Sequence, residues 1–234
     1  MTEFKYSEKF YSCFGLPVAD SAVRLYFANR IYVTGQENIP NEGALLLCSN
    51  HVSYFDPVIV AMTAERRLNF MGKKELFYIP ELKSAPFKHI IKKSFSSILT
   101  KLGAFPVDRK KFSRSALEHA VELLKEDEAL YMAPEGTTHP EINKLKEGFA
   151  LIYNWYLRST NKELQIVPAG IVYKKRIKKS NGKSFPAPFS EVRINYGKPL
   201  ELKKYEDMND KERRKAITED LEERIRELTS ANYT

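Results

Sequence analysis

Residues 44–49, Ala-Leu-Leu-Leu-Cys-Ser, are a short apolar run without a break. A strand with one wet face alternates apolar and polar side chains. A run that does not alternate predicts a strand buried on both faces, as in a parallel sheet covered by helices. Few folds accommodate such a strand, and the rest of the chain is read outward from it.

Residues 17–32 read as an amphipathic helix running into a strand, and 35–43, with Pro40, as a turn region. A helix is predicted from 57 to about 64 and a short strand over 68–72. Residues 84–102 place Phe87, Ile90, Ile91, Phe95, Ile98, Leu99 and Leu102 at helical spacing, with Lys and His opposite. Strands follow at 104–107, 129–133, 166–173 and 191–196, and helices at 113–125, 149–157 and 209–229. Alternating strands and helices predict an α/β fold: a single domain with a central mixed, mostly parallel sheet flanked by helices, preceded by a short amphipathic N-terminal helical segment. The 234 residues suffice for one core, and no Pro/Gly/Ser-rich linker or internal repeat divides them.

A net charge of +8 favours an anionic partner: nucleic acid, anionic lipid or a phosphorylated substrate. The charge clusters in 83–111, where eight Lys and Arg face only Asp108, and in 174–183, where six meet no acid. Zinc-finger spacing, an RNP motif and a basic zipper are all lacking, so nucleic acid is not the expected partner. The two cysteines, Cys13 and Cys48, do not make a disulfide framework, and a reducing cytosol is expected, with Cys48 buried. The first residues lack the character of a signal peptide, and no run approaches the roughly eighteen apolar residues of a spanning helix. Any membrane contact is therefore expected at the surface, on the cytoplasmic side.

Ligands of such sheets bind at the carboxyl ends of the strands. Strand 44–49 runs into Asn50, His51, Val52, Ser53, Tyr54, Phe55, Asp56 and Pro57. Asp56-Pro57 signals a helix start, with Asp as N-cap. Five residues apart on a regular helix, His51 and Asp56 would face different ways; in a tight loop they can meet. An Asp that holds one imidazole nitrogen fixes the tautomer and leaves the other as a base. By the same reading a cap and a loop-bonded His remain open. Strand 104–107 leads to Arg109, a guanidinium able to hold a phosphate. Strand 129–133 leads to Pro134, Glu135, Gly136, Thr137, Thr138 and His139, a tight polar turn. Glu135 and His139 lack a third ligand at matching spacing, so no metal is expected.

Taken together, these blocks resemble the 1-acyl-glycerol-3-phosphate (lysophosphatidate) acyltransferase family over roughly residues 30–200. Asn50 to Asp56 is similar to its Asn-His-x-x-x-x-Asp block, 103–109 to its second block ending in Arg, Pro134 to Thr137 to its third, and the Val-Pro at Val167-Pro168 to its fourth. Residues 72–77 resemble a further element whose Lys, here Lys73, helps bind substrate. The resemblance implies a lysolipid O-acyltransferase without cofactor, with His51 and Asp56 as the general-base dyad. Acyl-CoA or acyl-carrier protein would be the donor substrate. Lys73, Arg109, Glu135, Gly136 and Thr137 would hold the acceptor lysolipid, with Asn50, Ser53, Thr138 and Pro168 as further candidates. Residues 1–30 would then be an N-terminal helical segment in contact with an anionic membrane, and 31–234 the acyltransferase domain. One departure stands out: Thr138 replaces the Arg that usually ends the third block. That keeps other lysolipids, such as lyso-ornithine lipid or lysophosphodiesters, open as acceptors. The rivals are an acyl-lipid hydrolase, disfavoured because no Gly-x-Ser-x-Gly elbow is present, and a non-enzymatic basic module for membrane or nucleic acid.

Overall fold

The computed structural model describes residues 7–77, 96–108, 114–139, 141–160, 162–178 and 184–230. The apolar run is strand β2 (Ala44–Ser49), with all six residues buried. It lies at the middle of a seven-stranded sheet of order β1-β9-β6-β2-β5-β3-β4. The other strands are β1 (Ile31–Thr34), β3 (Asn69–Lys73), β4 (Ala104–Val107), β5 (Ala129–Met132), β6 (Leu164–Tyr173) and β9 (Val192–Tyr196). From β6 through β2, β5 and β3 to β4 every pairing is parallel. The β6–β9 pair is antiparallel and β1 runs parallel to β9, so the sheet is mixed and mostly parallel, as predicted.

Period-two alternation, with a core on each side, explains why β2 has no solvent-facing position. Leu46 and Cys48 point into one core with Leu117, Phe149, Ile152 and Leu221. Leu45 and Leu47 point into a second with Val23, Phe27, Ile59 and Val60. Each side of the strand meets a helical layer. Burial pushes the Cys48 thiol well above its usual range, so it acts as an inert apolar side chain.

Helical turns Glu8–Phe10 and Tyr11–Gly15 lead into α1 (Leu16–Tyr26), which packs on the second core beside α2 (Asp56–Thr63). The first core is covered by α3 (Arg114–Lys125), α4 (Gly148–Ser159) and α5 (Asp210–Ser230). The Asn209 side chain caps α5, accepting from the N–H groups of Lys211 and Glu212. Ile217, Leu221 and Ile225 recur every fourth residue and are fully buried. Each such side chain contributes on the order of 1.5–3 kcal/mol. Gly170 in β6 lets α5 approach closely: a Cβ there would stand 2.8 Å from the Leu228 backbone carbon. Of the helix predicted over 84–102, residues 96–101 are helical and 78–95 lie outside the described residues. A two-stranded ribbon, β7 (Arg176–Lys178) with β8 (Ser184–Pro186), was not predicted; Lys and Pro at its short strands give no period-two apolar signal.

Two features position the site. Strands β2, β3, β4, β5 and β6 all end at one edge of the sheet. β6 also outruns its neighbour: Ser49, the last residue of β2, pairs with Ala169, and β6 continues to Tyr173 against β9. That overhang forms a wall over the loop that follows β2.

Candidate active site

The loop after β2 is anchored before it turns. The Asn50 side chain donates to the Ile171 carbonyl at 2.9 Å and accepts from the Ile171 N–H at 2.8 Å. It thereby mimics one more residue of the β2–β6 ladder. Both partners are buried, so leaving these groups unpaired would be costly. Ser49 Oγ donates to the Asn50 carbonyl and sits 2.8 Å from the Tyr131 hydroxyl.

The next residue, His51, is gripped by the turn after β5. Its N–H donates to Glu135 Oε1 at 2.8 Å, and its carbonyl accepts from the His139 N–H at 2.8 Å. Glu135 Oε2 accepts from the Asn143 N–H at 3.2 Å. Burial raises the Glu135 carboxyl above its ordinary range, and the His51 and Asn143 amides oppose that rise. Both Glu135 oxygens thus bond the protein's own backbone.

With the loop held at both ends, the imidazole meets Asp56. His51 Nδ1 lies 2.9 Å from Asp56 Oδ2, which also accepts from the N–H groups of Val52 at 2.7 Å and Ser53 at 2.8 Å. The helix does begin at Asp56, but the carboxylate does not cap it forward as expected. It turns back onto the loop, where three donors converge on one oxygen. The other oxygen, Oδ1, accepts from the Tyr173 hydroxyl at 2.6 Å. Asp56 is fully buried and His51 is 8% exposed. A carboxylate only accepts, so Nδ1 carries the proton and Nε2 keeps a lone pair. Among the described residues no group hydrogen-bonds Nε2.

The remaining sequence-derived residues fall as follows. Lys73, exposed at the end of β3, lies 3.6 Å from Glu75. Gly136 has φ +76°, which admits the tight turn, and Lys146 Nζ lies where a Cβ would need room, at 2.9 Å. Thr137 is exposed, its hydroxyl 2.8 Å from His139 Nε2, and Thr138 is half-buried beside it. Ser53 Oγ accepts from the Phe55 N–H. Pro168 is buried within β6, level with Cys48 of β2. Arg109 lies outside the described residues. Among the described residues no group of three His, Cys, Asp or Glu could hold a metal ion. Tyr173 and Lys146 were missed. Only the length of strand 166–173, which carries Tyr173 to the site's edge, hinted at the first.

A family model described as "Acyltransferase" matches residues 30–172, more than half of the chain. The chain is 28% identical over 199 residues to the 1-acyl-sn-glycerol-3-phosphate acyltransferase of Bacillus subtilis, spanning 85% of this chain and 87% of that one. It is 29% identical over 177 residues to the enzyme of that name from Streptococcus pneumoniae, spanning 74% and 57%. The crystal structure of the 1-acyl-sn-glycerophosphate acyltransferase PlsC from Thermotoga maritima superposes with a TM-score of 0.59 at 19% identity, over 92% of this chain and 78% of that one. At that identity the likeness is one of fold.

Proposed function

The chain belongs to the acyltransferase family, and on that footing we propose that it is a 1-acylglycerol-3-phosphate O-acyltransferase, forming phosphatidate from an acyl thioester. The observation that carries the mechanism is the His51 Nδ1 to Asp56 Oδ2 bond of 2.9 Å with Nε2 left open. Nε2 takes the proton of the acceptor hydroxyl as its oxygen attacks the thioester carbonyl. The carbon–sulfur bond breaks, the thiolate collects the proton from the imidazolium, and ester and free thiol leave. Such a base contributes roughly a hundred- to ten-thousandfold. Asp56 orients the ring and stabilises the imidazolium.

The acceptor head group is held by cations at neighbouring strand ends. Lys73 ends β3, Arg109 comes two residues after β4 in the sequence, and the Lys146 ammonium lies against Gly136 of the turn. Thr137 and Thr138 offer hydroxyls on that turn. Glu135 serves by fixing the His51 backbone. The loss of the Arg at 138 favours a second reading with the same chemistry, in which the acceptor is a lyso-ornithine lipid or a lysophosphodiester.

The lipid comes from an anionic membrane surface on the cytoplasmic side. Among the described residues no helix is long and apolar enough to cross a membrane. The outer face of the helical segment through α1 instead carries Phe14 (60% exposed), Val18 and Leu25 (78% exposed), with Ser21 and Ala22 between them. A solvated helix shows charges there; an outward apolar stripe suits the interfacial layer of a bilayer. Residues 1–30 thus contact the membrane and 31–234 catalyse. The test is thiol release from acyl-CoA and from acyl-carrier protein with each lysolipid in turn. Release with lysophosphatidate supports the proposal. Release only with another lysolipid moves the acceptor and keeps the chemistry, and release that needs no acceptor makes the protein a thioesterase.

A further inference from the structure

A buried carboxylate against a histidine creates a difficulty for base catalysis. Its charge binds the imidazolium, so the ring tends to hold a proton before the acceptor arrives. The structure carries a device that opposes this. Asp56 is fully buried and meets four donors: His51 Nδ1, the N–H groups of Val52 and Ser53, and the Tyr173 hydroxyl. The first three share Oδ2. Among the described residues Tyr173 alone serves Oδ1, at 2.6 Å, from the end of the β6 overhang.

We infer that Tyr173 is a positioning residue of the acyl-transfer site: from Oδ1 it holds the Asp56 carboxylate so that Oδ2 meets His51 Nδ1, and it draws part of the carboxylate charge away from the ring. Burial and the Asp56 charge hold the Tyr173 phenol well above its usual range, so it remains a donor throughout the working pH range. Its ring is wedged in place by Phe27, with centroids 5.8 Å apart. Other titratable groups among the described residues face this cluster. Tyr131 of β5 approaches Asp56, with Cys48 of β2 and Tyr196 of β9 behind it, and Glu135 reaches the His51 backbone. Tyr131 and Tyr196 are held neutral by burial, as is the Cys48 thiol, whereas the Glu135 carboxyl, itself raised by burial, couples to His51 and is the same in every variant compared.

The inference rests on His51 being the base, and its test is kept separate from turnover. NMR follows the protonation of the His51 imidazole against pH in wild type, Tyr173→Phe, Asp56→Asn and the double variant, with thermal unfolding as a check on folding. Tyr173→Phe keeps the ring and its contact with Phe27. With one donor lost from the carboxylate, its charge concentrates on Oδ2, and the midpoint moves up by about half a unit to one unit. A 3-fluorotyrosine at 173, still a donor, restores the midpoint. In the Asp56→Asn background Tyr173→Phe has no further effect, because Tyr173 acts only through the carboxylate. In turnover, the acid limb of kcat/KM moves up with the midpoint, a loss of roughly three- to tenfold below it. A midpoint that stays or falls in folded Tyr173→Phe, or one that moves equally without the Asp56 carboxylate, overturns the inference. A His51→Ala variant as active as wild type would instead overturn the general-base reading.

Discussion

Asp56→Asn separates the charge of the dyad from its geometry. Three donors converge on Oδ2: the N–H groups of Val52 and Ser53 and the His51 Nδ1–H. An amide nitrogen in that place would oppose all three. The Asn oxygen must therefore occupy the Oδ2 position and the NH2 group must face Tyr173, whose hydroxyl can turn and accept. The ring orientation and tautomer survive, and what is lost is the negative charge beside the imidazolium. A hydrogen bond to a charged group is worth about 1.5–3 kcal/mol, so kcat/KM should fall roughly ten- to two-hundredfold. The assay is acceptor-dependent thiol release at a pH on the wild-type plateau, with thermal unfolding alongside. The three loop donors keep their acceptor, so the variant should remain folded. Activity within about threefold of wild type would refute the role of the Asp56 charge, because even the weak end of that range predicts more. A loss as deep as that of His51→Ala, in a folded protein, would refute the claim that the backbone donors preserve the tautomer.

Three further outcomes follow. Glu135→Gln should lower kcat about tenfold or more with KM little changed, since it places an NH2 group against one of two backbone N–H donors. It should also alter the pH dependence of stability. Burial makes Glu135 hold its proton more readily folded than unfolded, so the stability it adds is complete below the ordinary Glu range and is lost as pH rises through its raised value. Melting curves of the Gln variant against pH should lack that descent. Asn50→Ala should destabilise by about 2–5 kcal/mol in urea titrations, because it strands the buried N–H and carbonyl of Ile171 together. Leu25→Glu should weaken sedimentation with anionic vesicles at least several-fold while leaving turnover of a micellar acceptor unchanged, since it adds a charge to the outward apolar stripe; unaltered vesicle binding would remove this face from the membrane contact.

Local signals made much of the fold legible. The run 44–49 announced a doubly buried strand, and 104–107 and the edges of α3 and α5 were found within a residue or two. His51 and Asp56 were nameable because five residues and a helix start confine them to one loop. What escaped depends on register between distant strands. Tyr173 stands 117 residues from Asp56, and only the extra length of β6 beyond Ser49 brings them together. Asn50 is a further site candidate in the sequence, and only the structure shows its amide copying a backbone unit for β6. The resemblance gave Glu135 a part in holding the acceptor, and the sequence does not show that each of its oxygens accepts from a backbone amide. The Asp56-Pro57 pair gave the helix start correctly but not the cap: Phe55 occupies the N-cap position and the Asp56 carboxylate lies against the His51 ring and the loop amides.

The central claim is that His51 removes the acceptor's proton, and its most direct test is acceptor-dependent thiol release by wild type and His51→Ala, compared at equal concentrations of folded protein with the best lysolipid. Without the base kcat should fall by at least roughly a hundredfold. Undiminished release by a folded His51→Ala variant would contradict it.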